Sequence, residues 1–171
     1  MESKSESKSE ERADEKGWGG AKEEEAKGSK EEAVELPEMD VSAIEVPSDP
    51  EDGSACPLEG ALSINIRFSS PAYVGRAHWV VKLLVDCAND RLVKILGETE
   101  TEVLDKGESV MSFSTPAIDF SGFKKSELTN AGLLMAGLVV GGEEVCTVNM
   151  VVNVVKERDG SLVRQILNPL V

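Results

Sequence analysis

The chain has 171 residues, with 18 Lys/Arg against 32 Asp/Glu, a net charge of −14 and 4% aromatic residues. So acidic a chain without a basic patch is a poor ligand for nucleic acid, because neutralising phosphates supplies most of that binding, and its field favours basic proteins instead. The charge is uneven: residues 1–55 carry seven basic and eighteen acidic residues, a net of −11, which leaves eleven basic and fourteen acidic residues, a net of −3, for 56–171.

That asymmetry divides the chain into an appendage and a domain. The opening MESKSESKSEERADEKGWGGAKEEEAKGSKEE has neither the apolar periodicity of a packed element nor the apolar core of a signal peptide. Residues 1–38 are therefore expected to form a disordered acidic tail. Good helix formers in AKEEEAKGSKEEAVE are interrupted by Gly28 and Ser29, so a transient helix is the most they support. Trp18 is an isolated aromatic within this solvated stretch.

From Val41 onward the pattern changes to period two. VSAIEV reads as a first strand, and three prolines and two glycines in PSDPEDGSACPLEG forbid regular structure after it. In ALSINIRF, Leu62, Ile64, Ile66 and Phe68 alternate with Ser63, Asn65 and Arg67, the signature of a half-buried strand. HWVVKLLVD is a more continuous apolar run, as expected of a central strand; RLVKIL, ESVMSFST and, after the turn ERDG, SLVRQIL read as further strands. FKKSELTNA has room for one helical turn. Seven or eight short strands with Gly/Pro/Asp punctuation and no sustained helical period predict an all-β, antiparallel sandwich over residues 39–171.

GLLMAGLVVGGEEVCTVNMVVNVV, residues 132–155, is nearly long enough to span a membrane, yet GGEE places two glycines and two carboxylates at its centre. A hairpin turning there fits better, and no membrane contact is expected. With a three-residue turn at Gly141, Gly142 and Glu143, one face collects Leu134, Ala136, Leu138, Val140, Cys146, Val148, Met150 and Val152, a core face. The other collects Leu133, Met135, Gly137 and Val139 with Val145, Thr147, Asn149, Val151 and Asn153. Half apolar and half polar, it is either a second packed layer or a partner groove.

Catalytic chemistry finds no constellation. The sole histidine, His78, has no metal-ligand partner at suitable spacing, and there is no nucleophile elbow, phosphate-binding loop, dinucleotide fingerprint or zinc-protease motif. No enzyme activity, cofactor or metal is expected. Asp86, Asp90, Asp105 and Asp119 sit at strand ends or turns, where Asp caps the backbone. Cys56, Cys87 and Cys146 form no paired framework, which points to a reducing compartment and an intracellular location, nucleus or cytoplasm.

The order of segments is similar to a known series. HWVVKLLVD, RLVKIL, a DKG turn, SVMSFS, a loop with Pro, Asp and Phe, the long hairpin and a closing RQILNPLV together resemble the anti-silencing-function family of histone chaperones. That family's immunoglobulin-like domain has a tryptophan strand beginning EW, a hairpin turning at RGQEF and a closing RNILASNPRV segment. The resemblance covers residues 41–171 and implies an immunoglobulin-like sandwich. It also implies a histone-binding face: Leu133 matches an apolar contact, the contact arginine and tyrosine fall on Thr147 and Val151, and an aspartate falls near Val93 or Lys94, with Asp90 close by. The expected partner-binding residues are therefore Leu133, Met135, Val139, Thr147, Asn149, Val151, Asp90 and Lys94, engaging core histones or another basic protein. The alternative is a scaffold or adaptor of a cytoskeletal or ciliary assembly that uses the same face or a free sheet edge.

Overall fold

A computed structural model describes residues 38–50, 54–86 and 88–170 of the chain. The predicted tail, residues 1–38, lies outside them except for Glu38, and Cys87 lies outside them as well. In chain order the elements are β1 (Asp40–Glu45), β2 (Cys56–Pro57), β3 (Leu62–Ser70), β4 (Gly75–Val85), β5 (Leu92–Glu98), β6 (Glu102–Leu104), β7 (Gly107–Thr115), α1 (Lys125–Leu128), β8 (Gly132–Val140), β9 (Glu143–Lys156) and β10 (Leu162–Leu167). The one helix among the described residues, α1, falls within FKKSELTNA, and the membrane-length apolar run is the hairpin β8–β9.

Every pairing is antiparallel. A three-stranded sheet has the order β1-β3-β7, and a larger one has the order β2-β10-β9-β8-β4-β5, with β6 also pairing β4. Setting aside the very short β2 and β6, the first, second and fifth strands form one sheet, and the third, fourth, sixth and seventh form the other. That partition is the immunoglobulin-like sandwich, extended here by β10 beside β9.

Alternation builds the core. Ile64, Ile66 and Phe68 of β3 and Met111 and Phe113 of β7 face Trp79, Val81 and Leu83 of β4, Leu134, Ala136 and Leu138 of β8 and Val148, Met150 and Val152 of β9. Phe68 meets Trp79 edge to face, with ring centroids 5.2 Å apart, a geometry that adds to the area both rings bury. β4 lies between β8 and β5, which explains its continuous apolar run: even Val80, on the outward side, is buried.

The hairpin differs from the expected three-residue turn. Val140 pairs Glu143, so the loop is the two residues Gly141 and Gly142, whose φ values of 60° and 90° both require the left-handed region that glycine adopts without strain. The register then shifts between Leu138 and Val139, so that Leu138 pairs Cys146 and Val139 pairs Glu144. This bulge restores the expected register beyond Cys146, with one exchange at the bulge itself. Val145, expected outside, packs against the core, and Glu144 takes the place opposite Val139.

One buried charge holds the sandwich shut. Arg164 on β10 is 2% exposed, between Leu162 and Ile166, which pack against the core. Its Nη1 donates to the carbonyls of Leu58 and Gly60 at 3.0 and 3.1 Å and to that of Pro57 at 3.4 Å. Its Nη2 donates to Asp49 Oδ1 at 2.9 Å and to the Ala61 carbonyl. The loop between β1 and β3 is thereby tied to the last strand. Asp86 acts likewise at the end of β4: its Oδ1 accepts from the side-chain amides of Asn89 and Asn130 at 3.0 and 2.7 Å. Asp119 accepts from the backbone N–H of Ser121, the capping role expected of a turn aspartate.

Candidate functional site

The outward faces of the two sheets contrast. On the small sheet Ser63, Asn65, Arg67 and Ser69 of β3 stand beside Ser114, Ser112, Val110 and Glu108 of β7, a largely polar surface that water satisfies. On the large sheet the register aligns Val93 with Leu84, Leu84 with Leu133, Leu133 with Val151, and Val151 with Leu167. Five aliphatic side chains thus cross five strands in one row, in direct cross-strand contact positions. Ile95, Lys82, Met135 and Asn149 form the next row. Val93 and Ile95 on β5 are 58% and 63% exposed, and Val151 and Leu167 are also exposed, so no layer of the described chain covers this face. An outward sheet face that breaks polar alternation over five strands has the character of an interaction surface.

Six of the expected binding residues come together here. Leu133, Met135 and Val139 are half-buried along β8, while Thr147, Asn149 and Val151 follow on β9, Asn149 and Val151 being exposed. Asp90 does not join them on a strand; it is exposed in the turn linking β4 to β5, beyond the last pair, Val85 with Leu92. Lys94 departs from the expectation. It pairs with the core residue Leu83 and so lies on the inward side of β5, and its Nζ sits 6.0 Å from the centroid of the Phe123 ring. At a sheet edge a long lysine reaches past the core to solvent while its stem stays covered, so the inward position carries no buried charge. The apolar residues the face gains on β5 are its neighbours Val93 and Ile95.

The two residues at the centre of the face that sequence reasoning missed are Lys82 and Glu144. Glu144 Oε2 accepts from Lys82 Nζ at 2.7 Å, and its Oε1 accepts from Thr147 Oγ1 at 2.6 Å. The first bond and then the second hold the Glu144 carboxyl below its ordinary range. The carboxylate reaches from β9 to β4 by lying over Gly137 of the intervening β8. A Cβ on Gly137 would run into the Glu144 carboxylate and lie 2.7 Å from its Cδ. The signal that could have located this pair was the Gly-Gly turn: a two-residue loop with a bulge, rather than a three-residue loop, brings Glu144 onto the outer face. Gly137→Ala is accordingly expected to displace Glu144 and lower stability by about 1 kcal/mol, since the obstacle is the end of a flexible side chain. Thermal melts of Gly137→Ala, Glu144→Ala and the double variant check it: in the double variant the alanine should cost less than it does alone.

The site is therefore an uncovered, mostly aliphatic sheet face with a self-neutralised ion pair near its middle and polar side chains on β9. It can bury apolar groups of a partner and offer Thr147 and Asn149 as hydrogen-bonding groups. No protein-family model matches the chain, and no curated protein matches it.

Proposed function

We propose that this protein is a non-enzymatic binding module for a basic protein, with core histones as the first candidate, in the manner of a histone chaperone. The observation that carries the reading is the row Val93–Leu84–Leu133–Val151–Leu167, which crosses five strands on an uncovered face. Specific contacts come from that face, while the eighteen acidic residues of segment 1–55 add long-range attraction and speed encounter. Lys82 and Glu144 cancel each other on the face itself, which favours a second reading, a scaffold or adaptor docking an apolar surface of neutral character.

Binding of purified core histones to the full chain, to residues 39–171, and to Leu133→Arg and Val151→Arg, at two salt concentrations, separates the two. Removal of residues 1–38 should slow association and flatten its salt dependence while leaving a specific complex. Each arginine variant should weaken that complex by roughly a hundredfold or more, because the new charge is desolvated without a partner. Both variants should stay folded, since Leu133 and Val151 lie outside the core. If the full chain binds histones no better than an acidic peptide of equal charge, and the arginine variants bind as well, the adaptor reading replaces the histone one.

A further inference from the structure

The outer face of the large sheet is complementary to itself. A twofold axis laid along β8, in the plane of contact, turns a second copy face down and exchanges the two sides of the sheet. Within the order β10-β9-β8-β4-β5 the strand β8 is central, so β8 then lies over β8 of the copy, β4 over its β9 and β5 over its β10. The strand registers decide what meets. In the aliphatic row Leu133 meets Leu133 of the copy, Leu84 meets its Val151 and Val93 meets its Leu167. In the next row Met135 meets Met135 and Lys82 meets Asn149. Apolar groups land on apolar groups throughout the first row, and the cation of the second lands on an amide. Lys82 brings three donors, of which Glu144 Oε2 takes one, and the exposed Asn149 side chain offers an oxygen. Neither row sets like charges against each other.

The size of the face is that of a weak interface. Five strands about 4.8 Å apart, with at least six residues each at about 3.4 Å, span about 24 by 20 Å. Covered by a copy, this amounts to roughly 1,000 Å² over both chains, the low end for a specific contact. Sheets pack face to face about 10 Å apart with strands within about 30° of each other, and an axis along β8 gives that arrangement.

We infer that, in the absence of another partner, two copies of this chain cover each other's outer face in a reversible dimer with its twofold axis along β8. The contact is isologous and closes after two copies, so it hides the aliphatic row without building fibres. This rests on the reading of that face as a docking surface, not on histones as its occupant. A partner that docks there must displace the second copy, and self-association thus regulates access to the site. The charge sets its salt dependence. Two chains of net charge −14 repel, chiefly through segment 1–55 at −11, so the dimer tightens as salt screens that repulsion. A complex with a basic protein responds to salt with the opposite sign.

Sedimentation velocity of the full chain, over a range of concentrations at low and high salt, should show a monomer–dimer equilibrium that shifts at least threefold toward dimer at high salt. Leu133→Arg and Leu133→Glu place like charges together on the axis, and each should weaken the dimer at least tenfold. Their equimolar mixture should recover it, because residue 133 then meets its opposite charge. Val93→Arg mixed with Leu167→Glu, both at exposed positions, should likewise associate more tightly than either alone. The inference is overturned if the full chain stays monomeric at every concentration, grows into open-ended assemblies, or dimerises less at high salt. It is equally overturned if neither mixture associates more tightly than its components. A dimer that ignores added core histones would sink the histone reading alone, whereas histone binding by a chain that never self-associates would sink this inference alone.

Discussion

Arg164→Ala is expected to lower the stability of the domain by about 3–5 kcal/mol, most of what a domain of this size has to lose. The guanidinium is almost fully buried and directs donors at four carbonyls, those of Pro57, Leu58, Gly60 and Ala61, as well as at Asp49. Truncation leaves the Leu58, Gly60 and Ala61 carbonyls without this donor in a dry site, while the Pro57 carbonyl keeps the Gly60 N–H and Asp49 the Ser48 hydroxyl, and each unsatisfied group carries its own desolvation cost. Asp49 Oδ2 and Arg164 Nε are already buried without a partner among the described residues. Lysine does not rescue the site, because a single ammonium has three donors on one atom and cannot fork between the loop carbonyls and Asp49. Thermal unfolding should show both variants losing roughly 10–20 °C, with Arg164→Lys close to Arg164→Ala. A loss below about 3 °C would mean that the loop between β1 and β3 finds its hydrogen bonds elsewhere.

Met150→Asp and Asn149→Asp, adjacent on β9, should differ by most of the stability of the domain. Met150 is fully buried and pairs with Leu134 across the core side of the sheet, whereas Asn149 is exposed on the outer face opposite Met135. An aspartate at 150 is left in the core with Leu134, Val148 and Val152, costing about 4 kcal/mol or more, while the same residue at 149 stays in water and costs within about 0.5 kcal/mol. Denaturant melts should find Met150→Asp unfolded or nearly so and Asn149→Asp unchanged. Equal damage by both would mean that each side of β9 is buried, and the docking face would not exist.

Much of this was legible because a strand's side chains alternate, so that Leu62, Ile64, Ile66 and Phe68 declare one face without reference to anything distant. The hairpin was legible beyond Cys146 for a subtler reason: a three-residue loop and a two-residue loop followed by a bulge give the same register downstream. They differ only from Glu143 to Val145, and there the expectation failed. Lys94 misled because the edge of a sheet lets a lysine occupy an inward position with its ammonium in solvent, so that the alternation of β5 runs Leu92, Lys94, Leu96 inward and Val93, Ile95 outward. Arg164 was hidden for the opposite reason. Its five acceptors come from residues 103 to 115 positions away along the chain, and no local pattern records them. The one trace in the sequence is an arginine placed between two inward residues, Leu162 and Ile166.

The outer face of the large sheet is tested most directly by the backbone amide spectrum of the isotopically labelled full chain, recorded with and without unlabelled core histones at moderate salt. Perturbations should concentrate on Leu84, Val93, Leu133, Val151 and Leu167, the row that crosses five strands, and on Met135 in the next row, and should leave Ser63, Asn65, Ser112 and Ser114 of the small sheet unmoved. Perturbations confined to the acidic residues 1–38, or spread equally over both sheets, would contradict a docking role for this face.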